Sequence, residues 1–310
     1  MASLRYGINE LNLSLTLRAG QVFGWEQSPE GRWEGVIGDT LFSLSQTEGS
    51  DEIDVTFTGE SCKTPQEAVT ILRDFFQLDT DLAGLLKYWG DCDKMFARVI
   101  PPESRFSGLR ICRQDPLECL ISFIVSANNN IKRISQNLKS IRKTYGKHIK
   151  DDHYMFPSIQ ELSLATSEEL RRLGLGYRTE YIVKTVSMLS AEGAMETLYG
   201  LRSESDINVA RNFLTSLQGV GRKVADCVCL YSLDFASVAP VDTHMYQIAC
   251  RLFNKNIKKD NSMHNLIQEA MIERFGEKAG WAHCFLFAAD LKDLQKDDDQ
   301  DTSKRARYRE

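Results

Sequence analysis

Two apolar stripes with helical spacing flank a short turn that contains two glycines, in the segment from residue 208 to residue 251. The stripes comprise Val209, Phe213, Leu214 and Leu217 before the turn and Val224, Ala225, Val228 and the run 230–233 after it. Only residues 218–221 are left to reverse the chain, and Gly219 and Gly221 supply the backbone freedom that so sharp a reversal needs. The pattern therefore predicts two packed helices joined by a glycine hairpin over residues 207–232.

The same hairpin is a candidate phosphate-binding element. Because Gly219 and Gly221 lack a Cβ atom, backbone N–H groups can approach a phosphate closely. The amino terminus of the following helix also presents the positive end of its dipole to such an anion. Helical hairpins with glycine turns are common structural elements, however, so the glycines alone are weak evidence of nucleic-acid binding.

Two charged residues downstream of the turn point to chemistry. Lys223 lies in the first turn of an otherwise apolar helix, where a lysine loses solvation unless its amine reaches a cleft. Asp242 falls in the segment Ala239–His244, at or just before the start of another helix, where a carboxylate is well suited to capping. Taken singly, each residue also fits an ordinary role, Lys223 as a surface lysine and Asp242 as a helix cap.

The hydrophobic pattern divides the chain into a β-rich part and a helical part. From Leu11 to Phe57 apolar and polar residues alternate, as at Leu13, Leu15 and Leu17, and residues that favour β-strands are frequent. This pattern predicts an antiparallel sheet with one hairpin near residues 28–32. A helix is predicted from about Thr64, and after residue 102 the chain reads as almost entirely helical, with apolar stripes in 117–125, 131–141 and 181–189.

The expected fold class is therefore α+β. An amino-terminal antiparallel β-sheet domain with flanking helices is expected over residues 1–105, and a larger all-α domain over residues 106–295. Residues 296–310 have the composition of a polar, disordered tail.

Charge is distributed unevenly along a chain whose net charge is −5. Residues 1–70 carry a net −7 and residues 290–301 a net −4, so the rest of the chain is basic, and residues 131–150 hold seven Lys and Arg with no acid. This distribution is compatible with DNA binding by the helical part, although a solvated helix face explains the basic run equally well.

The eight cysteines are scattered and form no CxxC pair. This scatter argues against an iron–sulfur cluster, and we expect no cofactor and no metal. The absence of an apolar run of about 18 residues and of a secretory leader favours an intracellular protein that does not enter a membrane.

The hairpin, the lysine, and an aspartate 19 residues further on in the sequence PVDTH together resemble the helix-hairpin-helix DNA glycosylases that use a catalytic lysine. The resemblance implies that Lys223 attacks C1′ of a flipped nucleotide, expels the base, and leaves a Schiff base that can undergo β-elimination. It also implies that Asp242 orients or deprotonates the amine and stabilises positive charge on the sugar.

Most of the chain, from about Leu11 to Leu291, is similar to the eukaryotic 8-oxoguanine DNA glycosylases. In the motif AGQVFGW (residues 19–25), the resemblance implies that the Gly20 carbonyl senses the N7 hydrogen that 8-oxoguanine has and guanine lacks. Gly24 departs from the arginine expected there. The motif GWAHCFLFAADL (residues 280–291) supplies Phe287, expected to stack on the flipped base.

Three further residues complete the implied base pocket. Cys227 is expected near the other face of the base, and Pro240 is expected to line the pocket. His283 occupies the position where the family usually has a glutamine that binds the Watson–Crick edge. A glutamine amide offers a donor and an acceptor side by side, which an imidazole cannot do. Base specificity or pH dependence is therefore expected to differ from the family.

Contacts with the rest of the DNA are implied by two other motifs. In RQDPLECLISFIVSANNNIKRI (residues 113–134), Asn128 would fill the gap left by the extruded base and Arg133 would bind the orphaned cytosine. In LGLGYRTEYI, Tyr177 is expected to act as a wedge and Arg178 to read the cytosine. His244 is assigned to a DNA phosphate, with a core or capping role as its alternative.

The sequence therefore predicts a bifunctional DNA glycosylase and AP lyase that excises 8-oxoguanine, and also formamidopyrimidine-guanine, opposite cytosine in duplex DNA. One alternative is the same scaffold acting on another damaged base, and a second is a noncatalytic DNA-binding module. We further expect a monomer located in the nucleus, with mitochondria as a second compartment. The basic motif at residues 304–307 is either a nuclear address or a phosphate-binding arm.

Overall fold

The computed structural model describes residues 2–47, 49–101, 104–253, 257–260 and 262–291. The predicted polar tail at 296–310, with its basic motif at 304–307, lies outside the described residues. Within the part described, no helix is both long enough and apolar enough to cross a bilayer.

An antiparallel sheet of five strands forms the first layer of the fold. The strands are β1 (Ala2–Arg5), β2 (Trp25–Gln27), β3 (Trp33–Ile37), β4 (Thr40–Gln46) and β5 (Glu52–Gly59), and they lie in the order β1-β5-β4-β3-β2. The predicted hairpin near residues 28–32 is confirmed, since Ser28 N–H donates to the Arg32 carbonyl at 2.7 Å between β2 and β3. β1 was not expected from the sequence.

The prediction of a strand through Leu13, Leu15 and Leu17 is wrong, because these residues form helix α1 (Leu13–Arg18). Asn12 starts the helix by accepting the Leu15 N–H at 3.0 Å. Leu13 and Leu17, one turn apart, pack into the sheet core, while Leu15 on the opposite side packs into the helical core. A helix that is buried on both sides shows alternating leucines, which imitate the period of a strand.

Fourteen further α-helices follow among the described residues. They are α2 (Pro65–Phe75), α3 (Leu82–Cys92), α4 (Lys94–Val99), α5 (Pro116–Ser126), α6 (Ile131–Tyr145), α7 (Ile159–Ser163), α8 (Ser167–Arg172), α9 (Arg178–Leu189), α10 (Ala194–Gly200), α11 (Ile207–Ser216), α12 (Arg222–Ser232), α13 (Thr243–Phe253), α14 (Met263–Phe275) and α15 (Ala279–Asp290). The helix predicted from Thr64 is confirmed: Thr64 and Glu67 form a capping box, with Pro65 as the first helical residue. A small hairpin that the sequence did not predict, β6 (His148–Lys150) and β7 (His153–Tyr154), interrupts the helices.

Two hydrophobic cores result, one between the sheet, α1 and α2, and a larger one among the helices. Apolar residues of α3 and α4 pack into the helical core, where the Trp89 indole N–H donates to the Phe275 carbonyl at 3.1 Å. Cys112, by contrast, packs into the sheet core. Since the cores interleave along the chain, the boundary at residue 105 stays a prediction.

Several cations of the basic run at residues 131–150 are paired with acids rather than left free for DNA. In α6, Lys139 binds the carboxylates of Glu26 and Asp152 at 2.9 and 3.3 Å, and Lys143 also binds Asp152, at 2.7 Å. Lys147, just after the helix, binds Glu60 at 3.0 Å. The carboxyl-terminal half of this run therefore faces acids on or next to the sheet and the small hairpin. Its amino-terminal residues, 131–134, line a surface cleft.

Candidate active site

The glycine hairpin forms as predicted between α11 and α12, and its two glycines have different reasons to be glycine. Gly219 has φ +81°, and a Cβ there would collide with the ring of Tyr181. Gly221 has φ −86°, and a Cβ there would meet nothing within 4 Å. Gly219 is thus required by the packing of the chain, whereas Gly221 leaves open space in front of the uncapped amino terminus of α12.

Lys223 and Asp242 reach the same cleft from different helices. Lys223 is in the first turn of α12, and its Nζ lies 5.2 Å from the ring centroid of Phe123 on α5. Asp242 lies immediately before α13, where its Oδ1 accepts the Met245 N–H at 2.8 Å, so the predicted capping position is confirmed. The cap holds this carboxylate in a fixed orientation at the cleft wall.

The cleft has a volume of about 990 Å³ and brings together half of the site residues predicted from the sequence. The predicted residues on its wall are Gly20, Asn128, Arg133, Lys223, Asp242, His244 and Phe287. The wall thus carries a lysine and a carboxylate beside an aromatic ring, with amides and cations at the entrance. This combination can accommodate a nucleotide and attack its sugar.

The remaining residues of the implied base pocket lie behind the aromatic wall. A Cβ added to Gly20 would lie 3.9 Å from the Phe287 ring. The His283 ring stacks on that of Phe287 at 5.9 Å between centroids and 25° between planes. Cys227 and Pro240 are buried in the same region. Burial raises the pKa of the Cys227 thiol to about 11, against the opposing effect of the Lys223 ammonium one turn earlier.

His283 is a buried histidine with an altered acidity. Burial lowers its pKa to about 4, an effect that Lys223 reinforces, whereas the Asp242 carboxylate and a hydrogen bond to the Pro240 carbonyl act in the opposite direction. The imidazole is therefore neutral at pH 7. The neutral ring carries one N–H donor and one acceptor nitrogen, and its Nδ1 lies 3.8 Å from the Cys284 Sγ.

Three asparagines between α5 and α6 form one rim of the cleft. Asn128 is exposed and has φ +48°, a left-handed conformation that asparagine tolerates better than most residues. Asn130 caps α6 by accepting the Arg133 N–H at 3.0 Å. The exposed Arg133 donates to the Gly174 carbonyl at 3.2 Å, which directs its guanidinium along this rim. The turn therefore presents Asn128 and Arg133 together on the wall of the cleft.

Tyr177 and Arg178 support this rim from behind. The Tyr177 hydroxyl donates to the Ala127 carbonyl at 3.1 Å, and its ring remains half exposed. Arg178 is buried and donates to the carbonyls of Ala127 and Asn128 at 2.6 and 2.7 Å. In this arrangement Arg178 holds the asparagine turn. A cytosine-reading role for it stays a prediction that requires these hydrogen bonds to rearrange.

His244 stands at the opposite rim, exposed beside the amino terminus of α13. Its Nδ1 lies 3.6 Å from Oδ2 of Asp290, whose Oδ1 accepts from Arg251 at 2.8 Å. Its ring packs edge-on against Phe287 at 6.2 Å between centroids. These contacts orient the imidazole toward the cleft without burying it, so the predicted phosphate contact remains sterically available.

Sequence reasoning missed the network that holds the lysine helix. Asp226 is fully buried on α12 and accepts from Arg211 at 2.7 Å, from Arg222 at 3.0 Å and from Gln268 at 2.9 Å. The same Gln268 amide donates to the Ala239 carbonyl at 3.1 Å, three residues before Asp242. The network therefore links the helix of Lys223 to the segment of Asp242. The sequence signal for this network was an acid, Asp226, inside the apolar stripe of a helix, because a buried acid needs partners.

The aromatic wall under Lys223 was also missed, because Phe123 reads as a core residue of an apolar helix. Its ring stacks on Tyr231 at 5.4 Å and meets Phe23 edge-on at 5.8 Å. Phe23 belongs to the segment that carries Gly20, and that segment is fixed by buried Gln21, which donates to the Arg110 carbonyl at 2.7 Å and accepts the Cys112 N–H at 2.9 Å.

Within the described ranges, no cluster of three or more histidine, cysteine, aspartate or glutamate side chains is arranged to hold a metal ion. The expectation that the reaction needs neither metal nor cofactor stays a prediction. All eight cysteines are free thiols, and six of them are buried.

Comparison with known proteins identifies the class. Residues 121–275 match the family model of the HhH-GPD superfamily of base excision DNA repair proteins, and residues 3–120 match the model of the 8-oxoguanine DNA glycosylase N-terminal domain. The N-glycosylase/DNA lyase OGG1 of Arabidopsis thaliana is 39% identical over 291 residues, covering 91% of this chain and 78% of that protein. The N-glycosylase/DNA lyase of Saccharomyces cerevisiae is 34% identical over 322 residues, covering 91% and 84%.

Solved structures agree with this assignment. The fold resembles that of MBOgg1 in complex with a low-affinity DNA ligand, with a TM-score of 0.80 at 28% identity, covering 93% of this chain and 94% of that one. It also resembles Clostridium acetobutylicum 8-oxoguanine glycosylase/lyase in complex with DNA containing cytosine opposite 8-oxoG, with a TM-score of 0.77 at 26% identity and coverage of 90% and 91%. The chain belongs to the 8-oxoguanine DNA glycosylase family, and the predicted α+β fold is confirmed.

Proposed function

We propose that this protein removes 8-oxoguanine, and also formamidopyrimidine-guanine, from positions opposite cytosine in duplex DNA, with Lys223 as the nucleophile. Its family membership makes it a DNA glycosylase with AP lyase activity. The observation that carries the finer proposal is the single cleft in which Lys223 and Asp242 meet Gly20 and Phe287.

Lys223 is suited to covalent catalysis by its position. Its amine lies over the Phe123 ring in a cleft large enough for a flipped nucleotide. Attack of the neutral amine on C1′ forms a C–N bond and breaks the glycosidic bond, the base leaving with its electron pair and taking up a proton. Opening of the sugar then gives a Schiff base, from which β-elimination cleaves the strand.

Asp242 is suited to electrostatic support of this step. Because its carboxylate is held as the cap of α13, it meets the developing positive charge on the sugar in a preset orientation. This geometry favours a carboxylate that stabilises charge and orients the amine over one that moves to carry a proton.

Base reading is assigned to the residues around Phe287. A base flipped onto this ring would lie beside Gly20, and reading of its Watson–Crick edge is assigned to His283, whose ring contacts that of Phe287. A neutral imidazole carries one acceptor nitrogen, which suits the donor-rich N1 and N2 edge of 8-oxoguanine. Asn128 and Arg133, on the rim, would fill the gap and bind the cytosine left behind.

Borohydride trapping tests the proposal, since borohydride reduces a Schiff base to a stable cross-link. Duplexes carry a single 8-oxoguanine opposite cytosine, a single 8-oxoguanine opposite adenine, or no lesion. We expect a covalent adduct chiefly with the first duplex, lost in Lys223→Gln and retained in Lys87→Gln, which alters an exposed lysine on α3. Absence of an adduct with the first duplex would contradict the substrate, and an adduct in Lys223→Gln would contradict the nucleophile.

A different damaged base is the second candidate, and His283 is the observation that favours it. An imidazole replaces the expected glutamine at a position that contacts Phe287, so the edge of the base is read by a different group. Competition between 8-oxoguanine and formamidopyrimidine-guanine, each opposite cytosine, decides between them. Faster excision of the formamidopyrimidine would make 8-oxoguanine the secondary substrate.

We also propose that the protein acts as a monomer on nuclear DNA, and on mitochondrial DNA as well. Family membership in base excision repair supports an association with genomes. Fluorescent tagging of the full chain with and without residues 304–307 tests the nuclear address, and sedimentation of the free protein tests the monomer. An unchanged distribution on deletion would leave those residues as a phosphate-binding arm or without a role.

A further inference from the structure

The space beside Gly24 is filled by a cation from a distant helix. Gly24 belongs to the cleft segment 19–25, and a Cβ added there would collide with the guanidinium of Arg142 from α6. Arg142 is 8% exposed, and it forms an ion pair with Glu118 in the first turn of α5. The guanidinium carbon also lies 5.7 Å from the ring centroid of Phe156. The absence of a side chain at position 24 therefore makes room for this buried ion pair.

Arg142 joins its own helix, α6, to two other elements, and each of the three carries part of the wall of the cleft. The segment with Gly24 also carries Gly20 and Phe23, and α5, which holds Glu118, also carries Phe123 beneath Lys223. The same helix as Arg142 begins at the asparagine rim. The guanidinium pairs with the Glu118 carboxylate, and its bulk occupies the space beside Gly24, so one side chain ties α6 to both elements by an ion pair and by packing.

The two ends of the segment 19–25 are held differently. Near Gly20 the anchor is Gln21, whose amide groups bind backbone atoms at 2.7 to 3.0 Å. At Gly24 the contact is the Arg142 guanidinium, and Gly24, Arg142 and Glu118 line one small pocket together with Trp25. Between these anchors lies Phe23, whose ring meets Phe123 at 5.8 Å. Loss of the second anchor would let the cleft-lining part of the segment shift.

We propose that Arg142 is a positioning residue, which fills the space at Gly24 from α6 and pins the segment 19–25 to α5 so that Gly20 and Phe23 keep their places in the cleft. The inference rests on the proposed function in one respect, because Gly20 is there the group that reads the lesion. It does not place Arg142 in contact with DNA or with the reacting atoms.

The experiment separates base reading from sugar chemistry. Single-turnover excision is measured on a duplex with 8-oxoguanine opposite cytosine, and borohydride trapping on a duplex with an abasic site, which needs Lys223 but has no base to read. Arg142→Ala is expected to slow excision by about 30-fold, because misplacing a binding group by about 1 Å costs up to about 100-fold. Abasic trapping is expected to stay within about 3-fold of wild type.

The matched control is Lys143→Ala, which removes a cation from the adjacent, exposed position of α6. It is expected to leave both rates within about 2-fold, since a surface ion pair contributes little. Equal losses of excision and trapping in Arg142→Ala, or no difference between Arg142→Ala and Lys143→Ala, would overturn the proposal.

A reciprocal exchange tests the pairing directly. Gly24→Arg alone is expected to be as slow in excision as Arg142→Ala, because two side chains compete for one space. The double variant Gly24→Arg with Arg142→Ala restores one guanidinium beside Glu118 and is expected to recover excision to within about 5-fold of wild type. A double variant as slow as the product of the two single effects would refute the pairing.

A measurement without substrate keeps the inference separate from the proposed function. The urea midpoint is expected to fall in each single variant and to recover in the double variant, whether or not 8-oxoguanine is the substrate. If Arg142→Ala does not fold, Gly24→Ala takes its place, since its Cβ displaces the guanidinium without removing the charge. An inactive wild type with the expected midpoints would contradict the substrate alone, and additive midpoints would contradict the pairing alone.

Discussion

Replacing His283 with glutamine removes a buried titratable group from behind the Phe287 ring, and the consequence for stability can be worked out from its acidity. Burial lowers the pKa of His283 from its ordinary value of 6.5 to about 4. In the unfolded chain the imidazole therefore binds a proton near pH 6, whereas in the folded protein it stays neutral until about pH 4. Acidification thus favours the unfolded state at this residue.

The size of the effect follows from the linkage between proton binding and stability. The group contributes its full stability above about pH 6.5, loses it as the pH falls, and has no further effect below about pH 4. A difference in pKa from 6.5 to about 4 corresponds to about 3 kcal/mol at 1.36 kcal/mol per pH unit. Wild type should therefore lose about 3 kcal/mol more than His283→Gln between pH 7 and pH 4.

Urea unfolding of both proteins at pH 7, 6, 5 and 4 measures this difference. The control is His148→Gln, which alters an exposed histidine on the small hairpin and leaves His283 in place, so the loss of stability assigned to His283 should persist in it. If the free energy of unfolding depends on pH in the same way for wild type and His283→Gln, the reasoning is refuted. Such a result would mean that His283 takes up its proton equally in the folded and unfolded states.

Three further predictions concern the hairpin, its network and the rim. Asp226→Asn is expected to lower the free energy of unfolding by about 3 kcal/mol, since two partly buried guanidiniums lose the buried carboxylate that they share. A loss below about 1 kcal/mol in urea would contradict this. Gly219→Ala should lower the free energy of unfolding by about 2 kcal/mol, because of the positive φ and the nearby Tyr181 ring. Gly221→Ala should keep that stability but weaken binding to a labelled duplex. Equal losses of stability in the two variants would refute the distinction. Arg178→Lys should speed amide hydrogen exchange in residues 127–130, because their carbonyls lose directed donors; unchanged exchange would contradict that anchoring role.

Local patterns predicted the parts of the fold that local forces decide. The paired helices around Gly219 and Gly221 and the capping of α13 by Asp242 follow from spacing and backbone chemistry, and both formed as expected. The strand expected through Leu13 to Leu17 failed because burial on two sides hides the helical period. That burial depends on elements that are far away in sequence.

The sequence alone determined the class of protein, the lysine and aspartate on which its chemistry is proposed to depend, and seven of the residues that line the cleft. Only the tertiary structure decided what surrounds them: the buried network at Asp226, the commitment of Arg178 to the rim, and the guanidinium of Arg142 in the space of Gly24. The physical reason is that these contacts join residues far apart along the chain. A buried charge is stable only with a partner, and packing chooses that partner.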